Sequence, residues 1–283
     1  MNTIDRIAEM QAAAKALRDA GKRVAFVPTM GALHAGHLSL IELAKANADA
    51  VVMSVFVNPA QFAAHEDLSK YPRPFERDVE LAAGGGVDIL FHPAAEEMYP
   101  QGFQSYVNLE PVSMHFEGAV RPLHFRGVAT VVAKLFNIVK PHAAVFGQKD
   151  AQQLTLIRQM IKDLAFDVEI IAAPIVREPD GLAMSSRNIY LTPEARAEAT
   201  VLSQSLGLGK KLIAKSEPSP QVIVSQVRAM IRTQPLAQPD YVAIVSADTF
   251  IVAEELRKGE TYFLLLAVRF GTTRLIDNLL FTC

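Results

Sequence analysis

Short, mainly apolar segments recur through the N-terminal part of the chain and most constrain its fold. Val24–Val27, Ala50–Val57, Val87–Phe91, Ala143–Phe146 and Val168–Ala172 have the length of strands and no polar alternation. That pattern indicates strands buried on both faces. Segments of helical periodicity separate them. Strands that alternate with helices predict βαβ units, and therefore an α/β domain with a doubly wound parallel sheet.

The predicted helices have apolar residues at three- and four-residue spacings. They are Thr3–Ala20, His37–Asn47, Phe75–Ala83, Gly127–Val139 and Ala151–Leu164. In a Rossmann-like sheet of this kind, ligands bind outside the carboxyl ends of the strands. Most polar motifs of the chain come just after a predicted strand, so we expect a ligand site at that edge.

The C-terminal part has a different order of elements. Thr192-Pro193-Glu194 carries helix-start signals, and we predict a helix from there to about Ala214, followed by a break at 216–220. The remaining predicted elements are the helix Gln221–Arg232 and the strands Tyr241–Val245, Thr261–Val268 and Arg274–Asp277. Helices followed by strands indicate a smaller C-terminal α+β domain. We place the boundary near Val176, which gives domains 1–176 and 177–283.

Composition excludes several classes of protein. Half of the 283 residues are hydrophobic and 20% are charged, which is typical of a globular chain and not of a disordered one. The formal net charge of −2 argues against nucleic-acid and polybasic membrane binding. The single cysteine, Cys283, cannot form an internal disulfide or a cysteine-based metal site. With no signal-like N-terminus and no run long enough to span a bilayer, we expect a cytoplasmic protein.

The segment from Pro28 to His37 carries the strongest chemical signal. Gly31 and Gly36 permit tight turns and a close approach of ligand to backbone, and the following helix N-terminus favours anions. Two imidazoles three residues apart, His34 and His37, can donate hydrogen bonds to phosphate oxygens. Satisfied histidines in a glycine turn, or a His-x-x-His metal pair, would give the same pattern.

Other polar groups admit a functional and an ordinary structural interpretation. The amides of Asn58, Gln61 and Gln153 can bind carboxylate and hydroxyl groups without adding charge, or they are turn residues and solvated amides. Lys149 is placed to reach phosphate, or is a surface lysine. Asp150 is placed to be a helix N-cap, with Gln153 as its capping-box partner.

The loop Ser185-Ser186-Arg187 supplies two hydroxyls and a fork-shaped cation. That set suits phosphate groups, and a loop at a domain boundary can close over a bound ligand. A plain polar loop is the alternative. Val176 and Met184 are more typical of a core, and Arg121 of a surface cation.

Five segments of the chain share one family's motifs, in that family's order. They are Pro28–His37, Phe56–Phe62, Arg121–Gly127, Phe146–Gln153 and Asp180–Asn188. Within the first, His34-Ala35-Gly36-His37 resembles the HIGH motif of a nucleotidyltransferase superfamily. Together the segments resemble the pantoate–β-alanine ligase family. The similarity extends to Arg274-Leu275-Ile276-Asp277-Asn278 and is weakest between Thr200 and Ala237.

The resemblance implies an ATP-dependent carbon–nitrogen ligase that works in two steps. Pantoate's carboxylate attacks the α-phosphorus of ATP to give pantoyl adenylate and pyrophosphate. The amine of β-alanine then displaces AMP to give pantothenate. Adenylation turns a poor acyl donor into a good one, and Mg²⁺ and cations offset the charge that develops on the phosphates.

The resemblance also assigns roles to residues. The catalytic set is His34, His37, Lys149, Ser186 and Arg187. The ATP-binding set adds Met30, Gly31, Gly36, Gly147, Asp150, Val176, Met184 and Ser185, with Asp150 also near Mg²⁺. The set for pantoate and β-alanine is Asn58, Gln61, Arg121 and Gln153. The C-terminal domain is implied to be a lid, and the protein a homodimer.

Two departures from the family's pattern are His142, where Asp is usual, and Gln148, where Glu is usual. We expect the first to bear on local packing alone. The second removes a negative charge beside Lys149. The remaining histidines, at positions 65, 92, 115 and 124, are interpreted as structural or surface residues. The alternative function is another HIGH-motif nucleotidyltransferase, acting on a phosphate-bearing acceptor, and a third is a nucleotide-binding regulatory protein without turnover.

Overall fold

The protein is described here by a computed structural model that covers residues 1–63, 68–215 and 219–283. The chain divides into two compact units. The first unit comprises Met1–Gln148 and Leu156–Pro174, and the second comprises Lys149–Thr155 and Ile175–Cys283. The second unit therefore includes a short segment, Lys149–Thr155, that lies within the first of the two domains drawn from the sequence.

A six-stranded sheet, parallel throughout, forms the centre of the first unit. Its strands are β1 (Asn2–Ile4), β2 (Val24–Thr29), β3 (Ala50–Val55), β4 (Ile89–Phe91), β5 (Ala143–Gly147) and β6 (Glu169–Ala173). They lie in the order β1-β4-β3-β2-β5-β6. From β2 the chain first builds outward through β3 and β4, and then returns to the other side of β2 with β5 and β6. The point where the order reverses, between β2 and β5, is where such sheets bind ligands.

Helices cover both faces of this sheet. They are α1 (Ile7–Asp19), α2 (Ala35–Ala46), α3 (Phe75–Gly85), α4 (Ala95–Met98), α5 (Glu117–Val120), α6 (His124–Val139) and α7 (Ala151–Asp163). Helix α1 packs on α6, and α2 packs on α3. Ala25 and Val27 of β2 join Ile41 of α2 in one apolar cluster, while the intervening Phe26 is also fully buried. The predicted doubly wound α/β sheet is confirmed.

The second unit is α+β, as predicted. After a short first helix α8 (Pro193–Glu198) come α9 (Val201–Ala214) and α10 (Pro220–Ile231), and then three antiparallel strands in the order β7-β8-β9. The strands are β7 (Ala237–Ser246), β8 (Thr261–Phe270) and β9 (Thr273–Thr282). Leu206 of α9 and Val227 of α10 share one apolar cluster with Leu264 of β8. Residues 216–218 of the predicted break lie outside the described residues.

Two predicted elements differ in type or number, and the predicted strands Tyr241–Val245 and Arg274–Asp277 are parts of the longer β7 and β9. Thr3 and Ile4 open the first predicted helix, but together with Asn2 they form β1, paired in parallel with Ile89–Phe91. A three-residue strand is too short to show a period of its own, and its pairing partner lies far along the chain. The helix predicted from Thr192 to Ala214 is two helices. Leu202 N donates to the carbonyl of Ala199 there, a tight i→i−3 turn that separates α8 from α9.

His142 takes a structural role at the start of β5. Its ring Nδ1 accepts a hydrogen bond from Val24 N at 2.9 Å, and the backbone N–H of His142 donates to the Val24 carbonyl. The imidazole nitrogen thus supplies an acceptor for the first amide of β2. A carboxylate at this position would offer the same kind of acceptor.

In the part of the chain that the structure describes, no helix combines the length and the apolar character that crossing a bilayer requires.

Two glycines of α9 provide a matched test of how the second unit is packed. A Cβ added at Gly209 would lie 2.4 Å from Cδ2 of the fully buried Leu264, whereas one added at Gly207 would meet nothing within 4 Å. We expect Gly207→Ala to stabilise the protein by about 0.5–1 kcal/mol, because alanine loses less backbone entropy in a helix. Gly209→Ala should instead destabilise it, by roughly 1–3 kcal/mol of overpacking. Urea unfolding of both variants measures the difference, and equal midpoints would contradict it.

Candidate active site

The turn that follows β2 is held by a buried carboxylate. Gly31 and Ala32 both have positive φ, at 88° and 51°. Asp78 of α3 is 1% exposed and accepts hydrogen bonds from Ala32 N at 2.8 Å and Leu33 N at 2.7 Å. A Cβ at Gly31 would lie 2.8 Å from Asp78 Oδ2, so glycine is what lets the carboxylate approach. Asp78 therefore fixes the path by which the chain enters α2.

His34 and His37 form a reciprocal cap at the start of α2. The Nδ1 of His34 accepts from Gly36 N at 3.1 Å, and the Nδ1 of His37 accepts from His34 N at 3.3 Å. The ring centroids are 4.1 Å apart. A neutral imidazole whose Nδ1 accepts carries its proton on Nε2. Both rings are therefore hydrogen-bond donors through Nε2, which suits an anionic ligand.

The same geometry argues against the metal-pair interpretation of His34 and His37. Binding a metal through Nε2 would require the proton on Nδ1, where each ring already accepts an amide hydrogen. Within residues 1–63, 68–215 and 219–283, no group of three or more His, Cys, Asp or Glu side chains could hold a metal ion.

Asn58 and Gln61 lie together just after β3. Both are buried, and Asn58 Nδ2 donates to Gln61 Oε1 at 3.0 Å. Because its oxygen accepts, the amide of Gln61 presents Nε2 as a donor, and that nitrogen lies 3.0 Å from the sulfur of Met30. The structure therefore joins the predicted pantoate residues to a predicted ATP residue on the β2–α2 turn.

Tyr99 orients Asn58. Its hydroxyl donates to Asn58 Oδ1 at 2.7 Å, which leaves Asn58 Nδ2 to face Gln61. Burial raises the pKa of the Tyr99 phenol, and the neighbouring Tyr106 adds to that effect. The phenol therefore stays protonated and remains a donor at physiological pH. The amide pair is held in one orientation by a neutral group.

Gly127 of α6 lets this helix pack directly on the turn that carries Gln61. A Cβ at Gly127 would lie 2.2 Å from the carbonyl oxygen of Ala60, so any other residue would push the turn away. The Gly127 carbonyl also accepts from Asn58 Nδ2 at 3.1 Å. Close backbone contact at Gly127 thus sets how near the Asn58–Gln61 pair lies to α6.

Arg121 and His124 hold the backbone of the same turn. His124 Nδ1 lies 3.0 Å from the Gln61 carbonyl oxygen, and Arg121 Nη2 lies 3.5 Å from it. Arg121 Nη1 is 3.2 Å from His124 Nε2, so the ring can accept from Arg121 and donate to Gln61. Arg121 is thereby placed beside the amide pair.

His92 also has a structural contact, because its Nδ1 lies 2.6 Å from the Val55 carbonyl oxygen. His65 lies outside the described residues.

The second unit carries the remaining predicted site residues on two segments. One is Lys149–Thr155, with Asp150 exposed and Gln153 in the first turn of α7. Asn278 Nδ2 donates to the Lys149 carbonyl at 3.0 Å, and the Thr155 hydroxyl donates to the Ala247 carbonyl at 3.3 Å. These bonds tie the segment to the second unit. Gly147, at the end of β5, belongs to the first unit.

The other segment runs from Val176 to Arg187. Met184 N donates to the Val176 carbonyl at 2.9 Å, which closes the segment into a loop. Ser185 Oγ accepts from Arg187 N at 3.2 Å and caps the 3-10 turn Ser186–Tyr190. The guanidinium-bearing Arg187 is exposed. The loop therefore presents Ser185, Ser186 and Arg187 from one short capped turn.

Sequence reasoning missed several residues that shape these groups. Asp78 had a readable signal, because it is a charged residue on the apolar stripe of α3, between Phe75 and Ala82. Tyr99 had none, since its contact with Asn58 is a long-range one. Gly127 lay inside a recognised motif, but only the structure shows the backbone it touches.

A family model described as Pantoate-beta-alanine ligase matches residues 2–280. The chain belongs to the pantoate–beta-alanine ligase family. It is 56% identical over 279 residues to the pantothenate synthetase of Chloroherpeton thalassium, with 98% of each chain covered. It is 50% identical over 280 residues to that of Acetivibrio thermocellus, with 99% of each covered.

Solved structures agree with this assignment. A crystal structure of pantothenate synthetase from Thermus thermophilus has a TM-score of 0.91 and 45% identity, with 99% of each chain covered. A crystal structure of pantoate-beta-alanine ligase from Francisella tularensis, complexed with beta-gamma ATP and beta-alanine, has a TM-score of 0.77 and 33% identity, with 99% of this chain and 97% of that one covered. The family expected from the motifs is confirmed.

Asp78→Asn tests whether the carboxylate holds the turn. An amide has one acceptor oxygen, so one of the Ala32 and Leu33 amides would lose its partner in a buried place. We expect a loss of about 1–3 kcal/mol in the free energy of unfolding. Glu76→Gln is the control, since it removes the same charge from an exposed position in the first turn of the same helix. Urea unfolding compares the two, and equal losses would contradict the role of Asp78.

Proposed function

We propose that the protein condenses pantoate with β-alanine to pantothenate, using ATP and releasing AMP and pyrophosphate through a pantoyl-adenylate intermediate. The observation that carries this proposal is the capping pair of His34 and His37, which presents two Nε2 donors after β2, beside the point where the strand order reverses. The family assignment and the relative solved with beta-gamma ATP and beta-alanine support it.

In this mechanism the chain stabilises charge and contributes no nucleophile. His34 and His37 donate through Nε2 to phosphate oxygens as the pantoate carboxylate attacks the α-phosphorus. Preformed donors gain most where charge develops, because they need no reorganisation during the reaction. Met30, Gly31 and Gly36 bring the backbone of the turn close to the nucleotide.

The second unit's residues are proposed to bind the rest of the nucleotide. Lys149, Ser186 and Arg187 hold the triphosphate, with Ser185 capping their turn. The arginine fork matches phosphate geometry, and the lysine is a mobile point charge. Val176 and Met184 line the base or ribose site, and we assign the unit the role of a lid that protects the adenylate from water. Gly147, in the first unit, gives the nucleotide space at the end of β5.

Pantoate is proposed to bind at the amide pair. Gln61 and Gln153 offer hydrogen bonds to its hydroxyl and carboxylate groups without a strong charge that would hold the carboxylate back from attack. Asn58 supports Gln61 instead of reaching the ligand, because its own amide already bonds within the protein on both its nitrogen and its oxygen. Arg121 lies beside Gln61 and supplies the nearby cation. Another nucleotidyltransferase with a phosphate-bearing acceptor is not favoured, because such an acceptor calls for several cations, whereas Asn58 and Gln61 are neutral amides.

Asp150 is the residue proposed to hold Mg²⁺ with the nucleotide. Mg²⁺ is usually bound by one or two carboxylates together with substrate phosphates and water, so an exposed single carboxylate fits. When bound, the ion would offset negative charge on the phosphates.

We further propose a cytoplasmic homodimer. Tyr106, Met114, Val120 and Leu123 leave apolar side chains about half exposed along one stretch of the first unit, which is consistent with a covered surface in the assembly. A monomeric mass in light scattering would contradict the dimer. The cytoplasmic location agrees with a chain whose one thiol forms no internal disulfide.

ATP–pyrophosphate exchange tests the proposed function. With Mg²⁺ present and β-alanine absent, we expect labelled pyrophosphate to enter ATP only when pantoate is added, because the adenylate step is reversible. Adding β-alanine should then produce AMP and pantothenate. Protein that binds ATP but shows no pantoate-dependent exchange would contradict the proposal.

The same assay tests the histidine pair. His37→Ala should lower the exchange rate by about 10²–10³-fold, the usual effect of removing one transition-state donor. Ser39→Ala is the control, since it removes a hydroxyl bond to the Gly36 carbonyl in the same helical turn and leaves both imidazoles in place. Exchange at the wild-type rate in His37→Ala would overturn the role of that ring.

A further inference from the structure

Strand β9 buries two consecutive polar residues at its centre. Asp277 is 2% exposed and Asn278 is 3% exposed, although successive side chains of a strand point to opposite faces. They end the Arg274–Asn278 motif, to which neither the sequence nor the proposed mechanism gives a role. Buried polar groups need partners, so the bonds they make show what they do.

Asp277 binds Arg177, which lies at the start of the loop that carries Ser185, Ser186 and Arg187. Its carboxylate accepts two bonds from Arg177, at 2.6 and 3.0 Å, in a fork-to-fork pair. Arg177 Nη1 also donates to the Gly181 carbonyl at 3.0 Å. The loop is thus fixed at its base from β9.

Asn278 binds the segment Lys149–Thr155, which carries the other proposed phosphate contact of the second unit. Its Nδ2 donates to the Lys149 carbonyl at 3.0 Å. Its own backbone N donates to Asp277 Oδ1 at 2.8 Å, so the residue that holds Arg177 also steadies the one that holds Lys149. Two adjacent residues of one strand therefore anchor both segments.

We propose that Asn278 is a positioning residue for Lys149, and that Asp277 and Arg177 do the same for the Ser185–Arg187 turn. The inference rests on the proposed function, because it takes those residues as the triphosphate contacts. A lysine side chain is long and flexible, so the position of its backbone decides which points its ammonium can reach. Holding the Lys149 carbonyl means that this part of the backbone does not have to be ordered when phosphate binds.

Asn278→Ala is the direct test, measured by steady-state kinetics with each substrate varied in turn. We expect kcat/KM for ATP to fall about 2- to 13-fold, which corresponds to the loss of one hydrogen bond of about 0.5–1.5 kcal/mol. The KM values for pantoate and β-alanine should change less than the kcat/KM for ATP. Gln61 and Arg121 lie in the first unit, and only Gln153 is carried on the segment that Asn278 anchors. Asn278→Leu, which keeps the bulk but has no donor, should behave alike and serves if the alanine variant does not fold.

Ser205→Ala is the matched control. Ser205 is also a fully buried polar residue of the second unit, and its hydroxyl bonds only the Leu202 carbonyl within its own helix among the bonds described. This variant should lose thermal stability without any change in the ATP dependence. If the Asn278 variants lower the melting temperature as Ser205→Ala does and leave kcat/KM for ATP unchanged, the positioning role is overturned.

A double-mutant cycle separates action through Lys149 from a general effect. Asn278→Ala added to Lys149→Ala should cause less than a twofold further loss, because the side chain that Asn278 positions is already absent. Full additivity would overturn the inference.

Arg177→Lys keeps the positive charge facing Asp277 but loses the second of its two hydrogen bonds to the carboxylate. Because this pair acts on the Ser185–Arg187 turn, the substitution should lower kcat/KM for ATP as much in a Lys149→Ala background as in wild type.

Calorimetric binding of ATP with Mg²⁺ keeps this test apart from the proposed function. If wild-type protein shows no pantoate-dependent exchange, the proposed function fails on its own terms. The same cycle is then measured on the Kd for ATP. A Kd that Asn278→Ala raises in the wild-type background but not in the Lys149→Ala background supports the inference, and a Kd for Asn278→Ala equal to that of wild type overturns it.

Discussion

A buried carboxylate on two backbone amides supports the candidate site of the first unit. Asp78 holds Ala32 and Leu33 in a turn that needs positive φ, and so decides where α2 begins. The position of His34 follows from that start. On the other side of the turn, Met30 meets Gln61. Asp78 therefore positions both the histidine cap and the Asn58–Gln61 pair through the turn, although it contacts neither of them.

The sequence was sufficient for the architecture because the sheet's signal is local. Strands buried on both faces show themselves as unbroken apolar runs, and Val24–Thr29 and Ala50–Val55 were found within two residues of their ends. Glycine turns and the histidine spacing marked the β2–α2 turn for the same reason. The strand Asn2–Ile4 could not be found in this way, because its evidence for pairing is far along the chain, at Ile89.

Contacts between distant residues set the limit of what the sequence could predict in the site. Asn58 was chosen for its amide, but its orientation depends on Tyr99 and its depth on Gly127, and no spacing rule connects the three. The polar centre of β9 poses the same problem, since Asp277 and Asn278 look like an ordinary strand end until their partners are seen. A sequence motif can therefore identify candidate site residues without showing which distant residues they bond to.

The reciprocal cap of His34 and His37 ties the donors of the site to the start of a helix. Each ring uses its Nδ1 lone pair on an amide at the start of α2, so the orientation of the ring and the first turn of the helix are set together. A ligand bonded to Nε2 therefore meets a ring that cannot turn without giving up a helix cap, and such a cap contributes about 0.5–2 kcal/mol. The two donors are rigid for the same reason that α2 has a defined beginning.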